Sequence, residues 1–231
     1  MRRGLIIFLI ITLAIILSVY LPVSFYPLNK IILTAAGKRL DARISCRNMK
    51  IYIWRSIIAK EIEAVGNGGF SVKADKGVID YDLASLVTGR LHLKCGLENA
   101  GFSRRSSIMN ALTDLLDIEP IVTNAFHTVR GDFYVGYDDT ITQDLVFLND
   151  NVKIIVNAFT DTEDNIRGSL YLFLNDAVTG KIPKEVRAAI LRKEDGPWSS
   201  IYVGIMGNYQ RPALRIMTER FRMNIAAGRG Y

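Results

Sequence analysis

The sequence predicts a mainly β protein with short helices, in which an N-terminal transmembrane helix precedes a curved, groove-like antiparallel β-sheet. The first observation is an uncharged apolar block over residues 5–23. The second is a succession of β-rich runs from residue 43 onward, separated by short turns of Gly, Asn and Asp. Strand after strand joined by short turns is typical of an antiparallel sheet.

Composition and charge limit the classes of protein to which this chain can belong. The chain has 231 residues, 49% of them hydrophobic and 23% charged, so it can bury a sizeable core and is not globally disordered. The net charge is +6, but the basic residues are scattered, with Arg104-Arg105 and Arg192-Lys193 the densest pairs beyond the N-terminus. Nucleic-acid binding needs a clustered basic stripe, so we expect no nucleic-acid partner. Attraction to anionic lipid headgroups fits this charge better.

The first element is a predicted transmembrane anchor over residues 5–24, behind a cytoplasmic tail of residues 1–4. Its uncharged run holds 19 residues, and a helix needs about 20 to cross a bilayer core. The flanks favour an N-terminus inside, with the rest of the chain outside the cytoplasm. They are Arg2 and Arg3 before the run, and Tyr20, Phe25 and Tyr26 at its end.

A cleaved signal peptide is the alternative to an anchor. It also begins with basic residues, but it has a shorter apolar core and small residues at its cleavage site. The exit sequence Ser18-Val19-Tyr20-Leu21-Pro22 lacks that pattern. We therefore favour the anchor.

Two cysteines would lie in the oxidising compartment that this orientation implies. Cys46 and Cys95 both fall in strand-like stretches, so a disulfide between them can be considered. The alternative is two unpaired, buried thiols that pack as small hydrophobic groups. The sequence leaves both open.

The exported part divides into an N-terminal β part, residues 25–105, and a C-terminal β module, residues 106–231. The N-terminal part is predicted to begin with a helix over residues 27–40, and a glycine-rich turn at 66–69 interrupts its strands. The predicted strands are residues 43–54, 57–64, 70–74, 78–83 and 90–97.

The C-terminal module is predicted to contain two helices among its strands. The first, over residues 106–118, places Ile108, Leu112, Leu115 and Leu116 on one face, and the second covers residues 183–193. The predicted strands are residues 126–137, 144–148, 152–159, 166–174, 201–206 and 212–224.

The sequence shows no pattern with the spacing that catalysis requires. His92 and His127 each stand alone in strand-like surroundings, which favours structural imidazoles. Asp138-Asp139 reads as a solvated turn, and Glu61 and Glu63 as the solvated face of a strand. We therefore expect no catalytic residues, no metal site and no cofactor, and we expect that the protein is not an enzyme.

Strands 152–159 and 166–174 carry apolar residues on both faces. One explanation is a sheet covered by helices or a second sheet, which makes these faces an ordinary core. The other is a curved sheet whose open, apolar concave face offers a groove for acyl chains. The candidate groove-lining residues are Phe133, Val135, Phe147, Val152, Ile154, Val156, Leu170, Leu172 and Leu174.

The order of these motifs resembles the AsmA-like family of envelope proteins, which includes the TamB type. The N-terminal resemblance lies in the anchor and in GGFSVKADKGVIDYDLASLVTGRLHLKCGLENA. The C-terminal one lies in FHTVRGDFYVGYDDTITQDLVFLNDNVKIIVNAFTDTEDNIRGSLYLFL, then IPKEVRAAI, then IYVGIMGNYQRPALRI, where Gly204, Gly207 and Pro212 match the closing strand. The resemblance implies anchoring in the inner (cytoplasmic) membrane, a C-terminal domain in the periplasm, and a β-groove that carries phospholipid or supports outer-membrane assembly.

The chain is short for such a protein. Roughly ten strands at about 4.8 Å each give a groove about 50 Å long, too short to bridge an envelope unaided. The expected partners are therefore the inner membrane, a phospholipid or other acyl-chain ligand, and a protein partner or homo-oligomer that extends the groove. The alternative function is a non-catalytic scaffold subunit of a secretion or envelope assembly machine, recruited through exposed strand edges.

Overall fold

A computed structural model describes residues 22, 26–66, 71–103, 125–138, 140–208, 211–218 and 222–226. The predicted anchor, apart from residue 22, lies outside these ranges, as do the predicted helix 106–118 and most of the turn at 66–69. Within the described ranges, no helix has the length and apolar character needed to cross a membrane.

The described strands form one antiparallel sheet of 13 strands with short helices, which confirms the mainly β prediction. The helices are α1 (Tyr26–Leu40), α2 (Asp176–Thr179) and α3 (Lys184–Ile190), with a 3₁₀ helix at Leu83–Thr88. The strands are β1 (Ala42–Ser45), β2 (Asn48–Tyr52), β3 (Ser56–Gly66), β4 (Ser71–Asp82), β5 (Arg90–Phe102), β6 (Ala125–Gly136), β7 (Ile141–Leu148), β8 (Val152–Thr160), β9 (Asn165–Asn175), β10 (Arg192–Lys193), β11 (Trp198–Asn208), β12 (Arg211–Met217) and β13 (Arg222–Ala226).

The sheet order follows the chain order. From β3 to β9 each strand pairs with its sequence neighbour, β11 pairs with β9, and β12 and β13 complete the far side. Two strands pair with two others along the same edge. Both β1 and β2 pair with β3, and both β10 and β12 pair with β11. The predicted boundary at residues 105–106 lies between the paired strands β5 and β6, so one sheet runs through both predicted parts.

Helix α1 confirms the predicted N-terminal helix and packs against the edge of the sheet. Gly37 is buried, and a Cβ atom at this position would lie 2.5 Å from the carbonyl oxygen of Ala42 in β1. A glycine is needed here because the helix backbone approaches the strand backbone so closely. The helix thereby lies against an edge strand that would otherwise be free to pair.

The structure changes several of the predicted boundaries. The predicted strand 43–54 is two strands, β1 and β2, and the predicted helix 183–193 ends at Ile190, with β10 after it. Residues 70–74 and 78–83 were predicted as separate strands, but β4 runs continuously from Ser71 to Asp82 through Gly77. Gly77 keeps its ladder partners Ala59 and Leu97, and the side chains of Ile62 and Leu97 occupy the space that its missing side chain leaves. The predicted strand 212–224 is instead two strands, β12 and β13.

The core lies on one face of the sheet, mainly in its C-terminal half, and extends to Ala74, Ala100, Phe126 and Val129 in β4 to β6. Its largest fully buried side chains come from β8, β9, β11 and β12, and include Leu172, Ile201 and Leu214. Short helical segments add Val178 of α2 and Ile190 of α3 to the same cluster. Asn175 begins α2 by accepting a hydrogen bond from the amide of Val178, which directs the chain back over the sheet.

Candidate functional site

Strand register brings all nine predicted groove-lining residues onto one face of the sheet, here called the apolar face. Residues directly opposite in neighbouring antiparallel strands point to the same face, so the ladder pairs define rows across the sheet. One row is Ile57, Ile79, Cys95, Gly131, Leu145, Val156, Leu170, Val203 and Ile216. A parallel row is Ala59, Gly77, Leu97, Val129, Phe147, Ile154, Leu172 and Ile201.

The exposure of the apolar face changes along these rows. Ile79 in β4 is 40% exposed, and Leu145 and Val156 are partly buried. Farther along the same row Leu170 is 4% exposed and Val203 fully buried. Along this row the apolar face is therefore closed from β9 onward and partly open in the strands before it, whereas the parallel row is already buried at Gly77 and Val129.

The predicted lining residues divide between these two regions. Five of them are interior residues of the closed region, namely Val152, Ile154, Leu170, Leu172 and Leu174. The other four, Phe133, Val135, Phe147 and Val156, are partly buried. The structure thus brings the nine together on one face, but it places five of them in a core rather than at an accessible surface.

The open region contains apolar residues that the prediction omitted. Ile57, Ile79, Leu91, Leu93 and Leu145 lie on the apolar face in β3, β4, β5 and β7. The signal was present in the sequence, because Leu91, Leu93, Cys95 and Leu97 alternate in RLHLKCGL. Their partial exposure, however, depends on which part of the sheet the helices cover.

Small residues let large side chains lie flat on the apolar face. A Cβ atom at Gly131 would lie 2.5 Å from the Phe133 ring and 2.9 Å from a Leu145 methyl group. The two large side chains therefore cover the glycine position and make the surface continuous between β6 and β7.

The apolar face ends at a cluster of three aromatic rings. The ring centroids of Phe102, Phe126 and Phe147 lie 5.5 to 6.1 Å apart in edge-to-face arrangements. Asn99, which precedes this cluster in β5, has a φ of +52°. A left-handed residue interrupts strand alternation, which explains why Ala100 belongs to the core and Leu97 packs against it although they are three residues apart.

The opposite face of the N-terminal strands is mixed, because a polar row lies beside a row that includes Ile58, Val78 and Val146. The polar row is Asp80, Lys94, Asp132, Asp144 and Asn157, and Asn157 Nδ2 donates to Asp144 Oδ1 over 2.6 Å. The two faces of this part of the sheet therefore differ in chemistry.

Both histidines have carboxylate partners. His92 contacts Asp132 through Nε2, and its ring stacks on Tyr134 with 4.3 Å between centroids. His127 Nε2 lies 3.3 Å from Asp150 Oδ2 at an exposed site. In the ranges that the structure covers, no three His, Cys, Asp or Glu side chains come together as a set that could hold a metal ion.

The two cysteines are free thiols, so the disulfide considered from the sequence is not formed in the structure. Cys46 follows β1 beside helix α1, whereas Cys95 lies on the apolar face between Ile79 and Gly131. Burial, together with the negative charges of Asp132 and Asp80, raises the pKa of the Cys95 thiol to about 11. The thiol is therefore neutral near pH 7 and belongs to the apolar surface.

Two cavities flank the N-terminal strands. One of about 630 Å³ lies between α1 and the strands β1 and β2. The other, of about 530 Å³, lies at the far end of β3 to β6 and is lined by polar residues such as Glu61, Asp75 and Asn99 beside Phe126. Neither lies over the open region of the apolar face.

The chain has no match among models of known protein families, curated proteins or solved structures.

Proposed function

We propose that this chain is an AsmA-like protein, anchored in the inner membrane with its β-sheet in the periplasm, that handles phospholipid through the open region of the apolar face. The observation that carries the proposal is the exposure gradient along the row from Ile79 to Val203. A closed core would bury the whole row. Instead its members in β3 to β8 include side chains that water reaches, namely Ile57, Ile79, Leu145 and Val156, which form a surface suited to an acyl chain.

The size of the open region fits one acyl chain. Six strands, β3 to β8, contribute to it, and at about 4.8 Å per strand they extend about 24 Å. One leaflet of a bilayer core is about 15 Å thick, so one acyl chain extends about 15 Å. Each methylene group that leaves water for such a surface contributes about 0.8 kcal/mol. Curvature of the sheet around the chain would increase that contact.

Site-specific photo-crosslinking in membranes tests this function. A benzophenone amino acid replaces Ile79 or Phe133 on the apolar face, and replaces Leu148 on the opposite face as the control. Leu148 matches Ile79 because each is 40% exposed, and it pairs with Lys153 and Thr128 rather than with residues of the apolar face. After irradiation in cells grown with radiolabelled phosphate, we expect labelled phospholipid on the variants at 79 and 133 and little at 148. Equal labelling at all three positions would reject the proposal.

A non-catalytic scaffold is the second candidate function, and the far edge of the sheet favours it. Among the described strands, β13 pairs with β12 alone, so one of its edges carries no described partner. Such an edge can recruit a strand of another protein. In the same experiment, crosslinks to a protein at position 79 or 133, without labelled lipid, would support the scaffold instead.

A further inference from the structure

A basic cavity lies where the chain leaves the predicted anchor. Its wall on the helix side is one face of α1, because Asn29, Leu33 and Gly37 recur every four residues, and Lys30, Thr34 and Lys38 recur beside them. Its other wall is formed by β1 and β2 with the residues that connect them, including Arg43 and Arg47. The volume of about 630 Å³ is in the range of small-molecule sites.

The charge of this cavity is strongly unbalanced. Lys30, Lys38, Arg43 and Arg47 line it, and Asp41 is the sole carboxylate among its described lining residues. Arg47 Nη1 lies 2.9 Å from Glu61 Oε1. The other three cations form no salt bridge with any residue that the structure describes. Three cationic side chains therefore remain available to an anion.

One polar atom of the cavity has no partner. The Oδ1 atom of Asn29 is buried and accepts no hydrogen bond within the described part of the chain. A buried acceptor without a donor costs free energy, so a ligand that brings a hydroxyl group would satisfy it. The cavity thus suits a ligand that combines an anion with a nearby hydroxyl.

The distance along the chain places this cavity near a membrane surface. Asn29 follows Val23, the last residue of the apolar run, by six positions along the chain. At no more than about 3.5 Å per residue, this segment extends about 20 Å or less. If residues 5–24 form the anchor, the cavity lies within reach of the phosphates of the adjacent leaflet.

We propose that this cavity binds the glycerophosphate headgroup of an anionic phospholipid. Lys30, Lys38 and Arg43 hold the phosphodiester by charge-assisted hydrogen bonds, and Asn29 Oδ1 accepts a hydrogen bond from a hydroxyl of the headgroup. This site rests on the proposed function, because it assigns the headgroup to α1 and leaves the acyl chains to the apolar face. It adds selectivity for an anionic lipid, which the apolar face alone does not supply.

A soluble headgroup tests the cavity separately from the apolar face. Glycerophosphoglycerol has no acyl chains, and it is titrated calorimetrically into the full chain in non-ionic detergent, beside glycerophosphocholine and inorganic phosphate. We expect glycerophosphoglycerol to bind more tightly than either. Inorganic phosphate binding equally well would show a free-anion site, and the absence of any binding would also overturn the proposal.

Matched charge variants locate the binding. The combination Lys30→Gln, Lys38→Gln and Arg43→Gln should weaken glycerophosphoglycerol binding at least about tenfold, or about 1.4 kcal/mol, because it removes three charge-assisted hydrogen bonds. The control removes three exposed lysines elsewhere, Lys94→Gln, Lys181→Gln and Lys184→Gln, and should change the affinity by less than about twofold, as expected for distant exposed charges. Equal weakening in both would mean attraction by net charge alone and would reject the site.

Asn29→Leu tests the hydroxyl contact and guards against misfolding of the triple variant. It removes an unsatisfied buried acceptor, so the melting temperature should stay the same or rise. Binding of glycerophosphoglycerol should weaken while that of inorganic phosphate is unchanged; unchanged binding of both would contradict the role of Asn29. If glycerophosphoglycerol binds but position 79 gives no lipid crosslink, the acyl-chain function alone is rejected. If position 79 is crosslinked to lipid but glycerophosphoglycerol does not bind, this cavity alone is rejected.

Discussion

At the scale of single residues, position along a row decides what an isoleucine contributes. Ile79 and Ile154 are both on the apolar face, but Ile79 is 40% exposed and Ile154 is 5% exposed. Ile154 pairs with Phe147 and Leu172 in the closed region, whereas Ile79 pairs with Ile57 and Cys95 in the open one. The same substitution should therefore have different effects at the two positions.

Replacing each isoleucine with glutamate tests this difference. Ile154→Glu would bury an unpaired carboxylate, and it should lower the free energy of unfolding by about 3 to 5 kcal/mol or prevent expression. Ile79→Glu leaves the new carboxylate in reach of water and should cost about 1 kcal/mol. Denaturant unfolding of both variants beside Leu148→Glu measures the effects. A stable Ile154→Glu protein would show that the C-terminal region of the apolar face is accessible to water.

The thiol of Cys95 offers a pH-dependent reporter of the apolar face. Its pKa is raised from 9.0 to about 11, mainly by burial, so the thiolate fraction in the folded protein stays small up to pH 9. Alkylation by iodoacetamide should therefore remain slow at pH 8 and accelerate as the pH rises toward 11. Because the unfolded thiol ionises first, this group also favours unfolding between about pH 9 and 11. Mass spectrometry of Cys95 against pH measures the profile, and fast alkylation at pH 8 would contradict it.

At the scale of elements, contact between α1 and β1 depends on the absence of a side chain. A Cβ at Gly37 would lie 2.5 Å from the Ala42 carbonyl oxygen, which is strand backbone and cannot rotate away. The intrinsic helix propensity of glycine is poor, so the sequence alone would make Gly37 a weak point of the helix. Glycine is needed at position 37 because the helix packs closely against the edge strand.

Valine substitutions separate packing from propensity in α1. Gly37→Val should improve the intrinsic helix propensity by a few tenths of a kcal/mol, and yet we expect it to lower the melting temperature because the helix must move away from β1. Ala35→Val is at an exposed position of the same helix and should cost only about 0.6 kcal/mol in propensity. Thermal unfolding followed by circular dichroism compares them. Equal melting temperatures would show that the close approach contributes nothing to stability.

At the scale of the whole molecule, one continuous sheet links the predicted N-terminal and C-terminal parts. The described strands pair mostly with their neighbours along the chain, so the pairing needs few long-range connections and the register is passed from strand to strand. The apolar face is continuous for the same reason, so a single row of paired residues runs from the open region into the closed core.

The orientation of the whole chain in the membrane stays a prediction from residues 1–24. A reporter enzyme fused after Tyr231 should be active only outside the cytoplasm, because the basic flank of the apolar run favours an N-terminus inside. N-terminal sequencing of the purified protein should recover residues upstream of Leu21. A mature N-terminus between Leu21 and Lys38 would instead identify a cleaved signal peptide.

The sequence by itself determined most of the elements and the alternation of faces within each strand. Alternation in residues 152–159 and 166–174 predicted strands β8 and β9, and because side chains repeat every two residues it also put the predicted lining residues of each strand on one face of that strand. The continuity of β4 through Gly77 was not predicted, since glycine usually ends a strand unless its neighbours fill the space.

Only the tertiary structure decided which apolar residues are covered. Val156 and Leu170 are opposite each other in one row and alike in sequence pattern, but one is partly buried and the other lies in the core. The difference depends on packing of α2 and α3 beside the C-terminal strands, which is a long-range contact that alternation does not encode. For the same reason, Cys46 and Cys95 are free thiols because they lie on separate elements, which their number and spacing in the sequence do not reveal.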